Sequence, residues 1–284
     1  MRISLTSLHS YPIKSCAGTS WPRAVVTSGG LPWDRQWLLV DESGQFMTQR
    51  TYPSMACIQP TIESDVMRVS SPRHPDLIVP LAYEAAAPIE RVGVWRAQVA
   101  AYRLNDEIAQ WFSAVVGRPC ALYRAAEPFD RQPEAAPLQA WRAAHGDAGA
   151  SHGFAFADGF PLLVLSLASL QALNERLVAA GHAPVTMDRF RPNIVVDGIE
   201  AFDEDHIASM TFGPVTLGLV KPCKRCRLPD VDQTTGALGV QPGLMLAQFR
   251  AFEEGIMFGQ NAIVTAGAQT ELAVGDKGEY VFSF

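Results

Sequence analysis

Lys221-Pro222-Cys223-Lys224-Arg225-Cys226-Arg227 is the stretch from which the rest of the chain is read. Two thiols three positions apart stand among the cations Lys221, Lys224, Arg225 and Arg227. Neighbouring Lys and Arg favour the thiolate, which is the form of cysteine that attacks electrophiles and ligates metals. An apolar, β-like run from Thr216 to Val220 leads into the pair, and Leu228-Pro229-Asp230-Val231-Asp232 follows it, with a turn at Thr235-Gly236. The pattern predicts thiols at the end of a strand, on a loop that proline keeps from continuing as a helix. Such a loop suits a reactive or metal-bound sulfur.

Composition sets the frame around that loop. At 284 residues, 48% of them hydrophobic, the chain is long enough for two packed domains or one large β domain. A net charge of -6 argues against an extended nucleic-acid surface, so the basic loop is a local feature. All six Trp precede residue 142, whereas the Cys-x-x-Cys lies in the second half, which suggests two units with different tasks. The five cysteines (Cys16, Cys57, Cys120, Cys223, Cys226) are odd in number and scattered, unlike a secreted disulfide framework. Met1-Arg2-Ile3-Ser4-Leu5 enters β-like alternation directly, and no run reaches the roughly 20 apolar residues of a membrane span. The expectation is a soluble, cytoplasmic protein.

Along the chain, short strands are predicted at Ile3 to Leu8, Ala24 to Thr27, Trp37 to Val40, Gln45 to Thr48, Val66 to Val69, Val92 to Trp95 and Gln98 to Tyr102. Ile108, Trp111, Phe112, Val115 and Val116 form the apolar stripe of a helix that Asn105 caps and Gly117 stops. Residues 126–152 lose that periodicity and read as a linker or mobile loop, with Trp141 its anchored residue. Beyond it come a buried strand at Leu162 to Leu165, a helix capped by Ser166 and ended by Gly181, and strands at Ile194 to Val196, Ser209 to Phe212 and Thr216 to Val220. A helix at Met245 to Glu253 and strands at Ala262 to Thr265 and Glu279 to Phe282 finish the pattern. The fold class expected is mainly β: a β-rich N-terminal domain over 1–125, the linker over 126–152, and a β-barrel over 153–284.

Five stretches occur in fixed order: Tyr11-Pro12-Ile13-Lys14-Ser15-Cys16, Trp33-Asp34-Arg35, Phe46-Met47-Thr48-Gln49-Arg50, Arg191-Pro192-Asn193 and the cationic Cys loop. Together they resemble the MOSC family, in the branch that joins an N-terminal MOSC-associated domain to the MOSC domain, as in the mitochondrial amidoxime-reducing components. The resemblance runs nearly end to end. It implies a molybdenum cofactor (Mo-molybdopterin), with molybdenum bound by the second thiol, Cys226, as a soft sulfur ligand. It further implies cofactor contacts from Lys14, Ser15, Arg35, Arg191 and Asn193, with Lys224 and Arg225 beside the metal. Arg offers a rigid fork to phosphate, and Asn both donates to and accepts from a pterin edge. Ser166 and Ser169, at a helix start, would add donors to the same anion.

The implied activity is reduction of N-hydroxylated compounds (amidoximes, hydroxamic acids, hydroxylamines) by two electrons and two protons, with release of water. Some relatives carry an acidic residue after the position of Ser166, where this chain has Leu167, so Asp158 becomes the candidate carboxylate of the catalytic centre. The family's Glu-Asp-x-Trp signature appears as Glu204-Asp205-His206-Ile207, without its aromatic. The single close Cys pair and the lack of a Gly-x-Gly-x-x-Gly fingerprint place electron supply on a separate donor protein, ferredoxin-like, cytochrome b5-like or a flavin reductase.

Other readings of the same residues stand beside this one. A lone Cys-x-x-Cys is also half of a structural zinc site, though no second close Cys or His pair completes it. A thioredoxin-like dithiol would open a helix, which Pro229 disfavours. The thiol-cation loop also suits a sulfur carrier working through a Cys226 persulfide, or a cofactor-binding module without turnover.

Overall fold

The computed structural model describes residues 1–82, 88–146 and 150–283. The chain opens with β1 (Arg2–Ser10), β2 (Thr19–Trp21) and β3 (Arg23–Val26). Next come β4 (Trp37–Asp41), β5 (Gln59–Glu63), β6 (Val66–Ser71), β7 (His74–Pro80), β8 (Ile89–Val94), β9 (Ala97–Arg103), helix α1 (Asp106–Val116) and β10 (Cys120–Ala125). Helix α2 (Ala135–His145) leads to β11 (Leu162–Ser166), α3 (Leu167–Ala179) and β12 (Ile194–Asp197). The last part holds β13 (Ile207–Phe212), β14 (Val215–Lys224), α4 (Gly243–Phe249), β15 (Ala251–Phe252), β16 (Gly255–Ala266), β17 (Thr270–Ala273) and β18 (Lys277–Phe282). The protein is mainly β, as its short apolar runs predict.

Seven strands close into a barrel in the order β11-β12-β1-β18-β13-β14-β16, with β16 pairing back to β11 through Val164↔Gln260. Closure leaves no open edge on these strands. Alternation along each strand decides what goes where. In β11, Leu162 and Val164 enter the barrel core with Leu5, Leu8, Val196 and Leu217, while Leu165 packs outward with Leu173, Leu177, Phe190 and Phe258. The parallel pair β11–β12 is joined through α3, whose first turn Ser166 caps by accepting from the Ser169 amide at 3.0 Å. The barrel draws β1 from the opening of the chain, outside the 153–284 stretch: Leu8 stands opposite Ile194 and Arg2 opposite Glu279.

Strand β2 pairs with β1 and β3 with β17, while the other N-terminal strands build two smaller sheets, β4-β10-β9-β8 and β5-β6-β7. They enclose Trp37, Leu39, Met67, Val79 and Phe112, the last from α1. Helix α1 follows its sequence signals, with Asn105 Oδ1 accepting from the Ile108 amide at 3.0 Å and Gly117 left-handed at φ 76°. The strand expected at Gln45 to Thr48 is reduced to one bridge, Val40↔Phe46, because Asp41 Oδ1 accepts from the Ser43 and Gln45 amides and turns the chain sharply. The helix expected to reach Glu253 stops at Phe249, since Ala251 and Phe252 pair with Ile256 and Gly255. Among the described residues no helix is long and apolar enough to cross a membrane.

Within 126–152, residues 147–149, Gly149 among them, lie outside the described residues, but Ala135–His145 form α2. Its apolar face is two residues wide, Leu138 and Trp141, too narrow for periodicity to reveal. The indole packs with Phe160 and Ile263, and its N–H donates to the Ala208 carbonyl at 3.3 Å. Its benzo edge lies against Gly218 of β14, where an added Cβ would come within 2.5 Å of Trp141 Cζ2. Gly218 thus lets α2 reach the barrel wall. Gly218→Ala should lower the unfolding free energy by about 1–3 kcal/mol, as overpacking does. In urea titrations, adding Trp141→Phe should recover part of that loss, the non-additivity expected of touching residues.

Candidate functional site

Tyr11 stands where β1 ends and gathers the predicted cationic residues around its ring. Its N–H donates to Asp34 Oδ1 (2.9 Å) and its hydroxyl to the Pro192 carbonyl (3.1 Å). The Arg35 guanidinium lies 4.5 Å and that of Arg191 4.1 Å from the ring centroid. Arg35 donates to Asp34 Oδ2 (2.6 Å), Asn193 Oδ1 (3.1 Å) and the Arg191 carbonyl (3.2 Å). Asn193 is engaged at both ends, because Oδ1 also accepts from the Leu163 amide and Nδ2 donates one N–H to the His9 carbonyl.

Arg191 is the unusual member. Its Nη1 donates to the Cys16 carbonyl, but Nη2 is buried with no partner among the described residues. Burial, and then the charge of Arg35, hold its pKa down to about 10. Two guanidinium groups on one aromatic ring, with a single carboxylate bonded to Arg35, form a set that an anion such as a phosphate would complete. The backbone here is strained as well. Ser15 (φ 65°), Trp33 (φ 63°), Arg35 (φ 48°) and Arg191 (φ 58°) are all left-handed without being glycine, a conformation that costs about 1–3 kcal/mol each and clusters at functional sites.

Lys14 is buried beside this cluster. Its ammonium donates to the Phe156 carbonyl (2.8 Å) and to Asp158 Oδ1 (2.5 Å), while the Phe156 amide donates to the Arg35 carbonyl (2.9 Å). Burial pulls the Lys14 pKa down and Asp158 opposes it. For Asp158, desolvation on its Lys14-facing side works upward, but Lys14, the Trp95 indole N–H and Arg35 outweigh it and keep the carboxyl below the usual carboxylate range. With 73% of the Asp158 side chain open to solvent, water screens the pair, which orients Lys14 more than it stabilises the fold. Asp158 is therefore placed as an ionised acceptor.

The thiol loop adjoins the arginines through one residue. Arg225 donates from Nη2 to the Phe190 carbonyl (2.8 Å), next in sequence to Arg191, and from Nη1 to Cys223 Sγ (3.2 Å), while its Nε is buried with no partner among the described residues. Cys223 is half-buried; Cys226 and Lys224 are exposed. Strand β14 runs through Cys223 to Lys224, so the thiols do mark a strand end. Arg189, which the sequence did not mark as a site residue, ties the following loop down by donating to Asp232 Oδ2 (2.7 Å) and the Pro229 carbonyl (3.3 Å). Among the described residues no three His, Cys, Asp or Glu side chains gather as a metal-holding group. Cys16, within its motif, is core: burial pushes its thiol up to about 12.

Ser166 and Ser169 stand apart from the arginines. Their hydroxyls lie 3.1 and 2.8 Å from Glu204 Oε2, the Ser166 amide reaches Glu204 Oε1 at 3.4 Å, and the Phe202 amide donates to Ser169 Oγ at 2.8 Å. Glu204 is itself buried, and burial raises its pKa. These donors are already spent on a carboxylate of the same chain. Glu204 was legible only as part of Glu204-Asp205; nothing local marked it as the acceptor for a helix start thirty-five residues upstream.

Residues 2–119 match the family described as the MOSC N-terminal beta barrel domain, and residues 151–279 match the MOSC domain. Mitochondrial amidoxime-reducing component 1 of Mus musculus is 32% identical over 237 residues, covering 82% of this chain and 67% of that protein. The molybdenum cofactor sulfurase of Oryza sativa is 30% identical over 270 residues, covering 90% of this chain but 32% of that protein. Mitochondrial amidoxime reducing component 2 of Bos taurus is 30% identical, covering 83% of this chain and 68% of that protein. The chain thus spans about a third of the sulfurase and about two thirds of the amidoxime-reducing components. The YUAD protein of Bacillus subtilis aligns over 100% of this chain and 97% of its own at 11% identity, with a TM-score of 0.41, too low to carry an argument. Two matched domains in tandem and relatives at this identity make the chain a member of the MOSC family.

Proposed function

We propose that this protein is a molybdenum-cofactor-dependent reductase of N-hydroxylated compounds. One observation carries the reading: Arg35 and Arg191 both packed on the Tyr11 ring, with a buried Arg191 Nη2 that has no partner among the described residues, joined through Phe190 to a loop that presents a thiol. Both ends suit the group that the family implies. Arg191 and Arg35 would hold its phosphate, and Cys226 would give molybdenum a soft thiolate. Lys14, Asn193, Ser166 and Ser169 already have partners within the chain, so their part is to shape the walls. When bound, the cofactor supplies the two-electron redox change that removes oxygen from a nitrogen.

The chain's own residues do the rest. Arg225 holds the Cys loop against Phe190, the ionised Asp158 fixes Lys14 beneath the 156–158 turn, and the two arginines keep a positive field for the anion. The balanced reaction consumes two electrons and two protons and releases the amine, amidine or amide with water. The electrons come from a separate donor protein. A second reading, a sulfur carrier working through a Cys226 persulfide, is favoured by the exposure of Cys226 and by the likeness to sulfurases. Molybdenum analysis separates the two: the carrier would show added sulfur on Cys226 and little metal.

Protein from a cofactor-competent host should contain close to one molybdenum per chain by plasma mass spectrometry. Cys226→Ser should lose most of it and Cys223→Ser should keep most of it. Stoichiometric zinc dependent on both thiols would sink the proposal.

Arg191→Ala should fold, by its thermal unfolding curve, yet hold the cofactor more weakly. Loss of one charge-assisted contact, about 1.5–3 kcal/mol, corresponds to roughly ten- to a hundredfold in retention during dialysis. Undiminished retention would make Arg191 a purely structural tie between the Cys16 carbonyl and Tyr11.

A further inference from the structure

Beside the Lys14–Asp158 pair stands a residue that neither the fold nor the cofactor reading accounts for. Trp95 occupies the first position of the two-residue turn between β8 and β9, where Val94 pairs with Ala97. Its φ is 56°, in the left-handed region where such turns favour Asn or Gly. A large aromatic is kept at a strained position, yet 53% of it is exposed, so core packing does not explain its presence.

What surrounds the indole is specific. Its N–H donates to Asp158 Oδ1 at 2.8 Å, the same oxygen that takes the Lys14 ammonium. Phe46 meets it edge-to-face with centroids 5.1 Å apart. The Arg50 guanidinium stacks 4.6 Å from the ring, and among the described residues no carboxylate pairs with it. Asp158 Oδ2 accepts no hydrogen bond among the described residues, and its side chain faces solvent. An open indole with a stacked cation therefore adjoins a free, ionised carboxylate oxygen.

We propose that Trp95, Arg50 and Asp158 form a subsite for the flat, conjugated, N–H-bearing part of a substrate: the π-system stacks on the Trp95–Arg50 shelf and its N–H donates to Asp158 Oδ2. The substrate class within the reductase reading is then aryl-substituted amidoximes over small, non-planar N-hydroxylated compounds. The strained turn presents the indole outward, and Asp158 fixes its plane through the N–H. Trp95 is a specificity residue here and takes no part in the redox step.

The turnover test rests on the reductase reading and the binding test does not. In the holoenzyme with reduced viologen, Trp95→Ala should raise KM for benzamidoxime about tenfold with kcat within twofold, and leave kcat/KM for hydroxylamine unchanged. Trp95→Phe, which keeps the ring and loses the N–H, should recover most of the KM. A merely structural Trp95 would shift both substrates together, and that result overturns the subsite. Independently, benzamidine should bind the wild-type holoprotein by titration calorimetry and bind Trp95→Ala about tenfold more weakly. Should the wild type reduce nothing yet bind benzamidine through Trp95, the reductase reading falls and the shelf stands. Equal binding by both proteins, or none by the wild type, overturns the shelf.

Discussion

Arg191, a guanidinium buried with one donor unmatched, is the constraint on which the site depends. A charge in that position is costly unless something meets it, and the chain itself meets it only in part, with the Cys16 carbonyl and the face of Tyr11. To hold it there, the backbone adopts left-handed conformations at Arg191, Arg35 and Ser15. Three sequence segments, 11–16, 33–35 and 190–193, are fixed relative to one another by these few bonds. A site built this way gathers two guanidinium groups inside a chain of net charge -6.

The barrel supplies the rigidity that this arrangement needs. Strand β1 pairs with β12 and β18, and it ends at Tyr11, so the first motif is hung from the barrel wall. On the other side, Asn193 opens β12 and bonds the Leu163 amide at the start of β11. Arg35 then reaches across from the loop before β4. The site therefore lies where the opening segment of the chain, the N-terminal sheets and the barrel meet.

Legibility followed locality. Helix α1, the cap of α3 and the buried run of β11 were readable because their signals lie within a few residues: Asn105 before its stripe, Ser166 before Leu167, four apolar residues in succession from Leu162. Helix α2 was not, because its helical face is only Leu138 and Trp141 and its docking depends on Gly218, far along the chain. The place of β1 in the barrel was equally hidden, since a strand's alternation does not say which sheet it joins. For the site, the resemblance named residues, but only the structure sorts them by what is left of their bonding capacity. Among the described residues Arg191 and Arg225 each keep a buried nitrogen with no partner, whereas the side-chain polar atoms of Asn193, Lys14, Ser166 and Ser169 all have at least one. Trp95 was read as the end of a strand; its exposure and left-handed turn had no local signature beyond an aromatic beside Arg96.

The two thiols of the opening motif are alike in sequence and different in surroundings, and a single side chain makes the difference. Arg225 lies between them in the chain and turns its fork toward Phe190 and Cys223, so that one sulfur receives a guanidinium N–H at 3.2 Å while Cys226 remains exposed. Spending Arg225 on Cys223 and on a backbone carbonyl leaves Cys226 unencumbered while anchoring the loop that carries it. The spacing of three residues, combined with a cation placed before the second thiol, is thus enough to divide the pair into a pinned sulfur and a presented one.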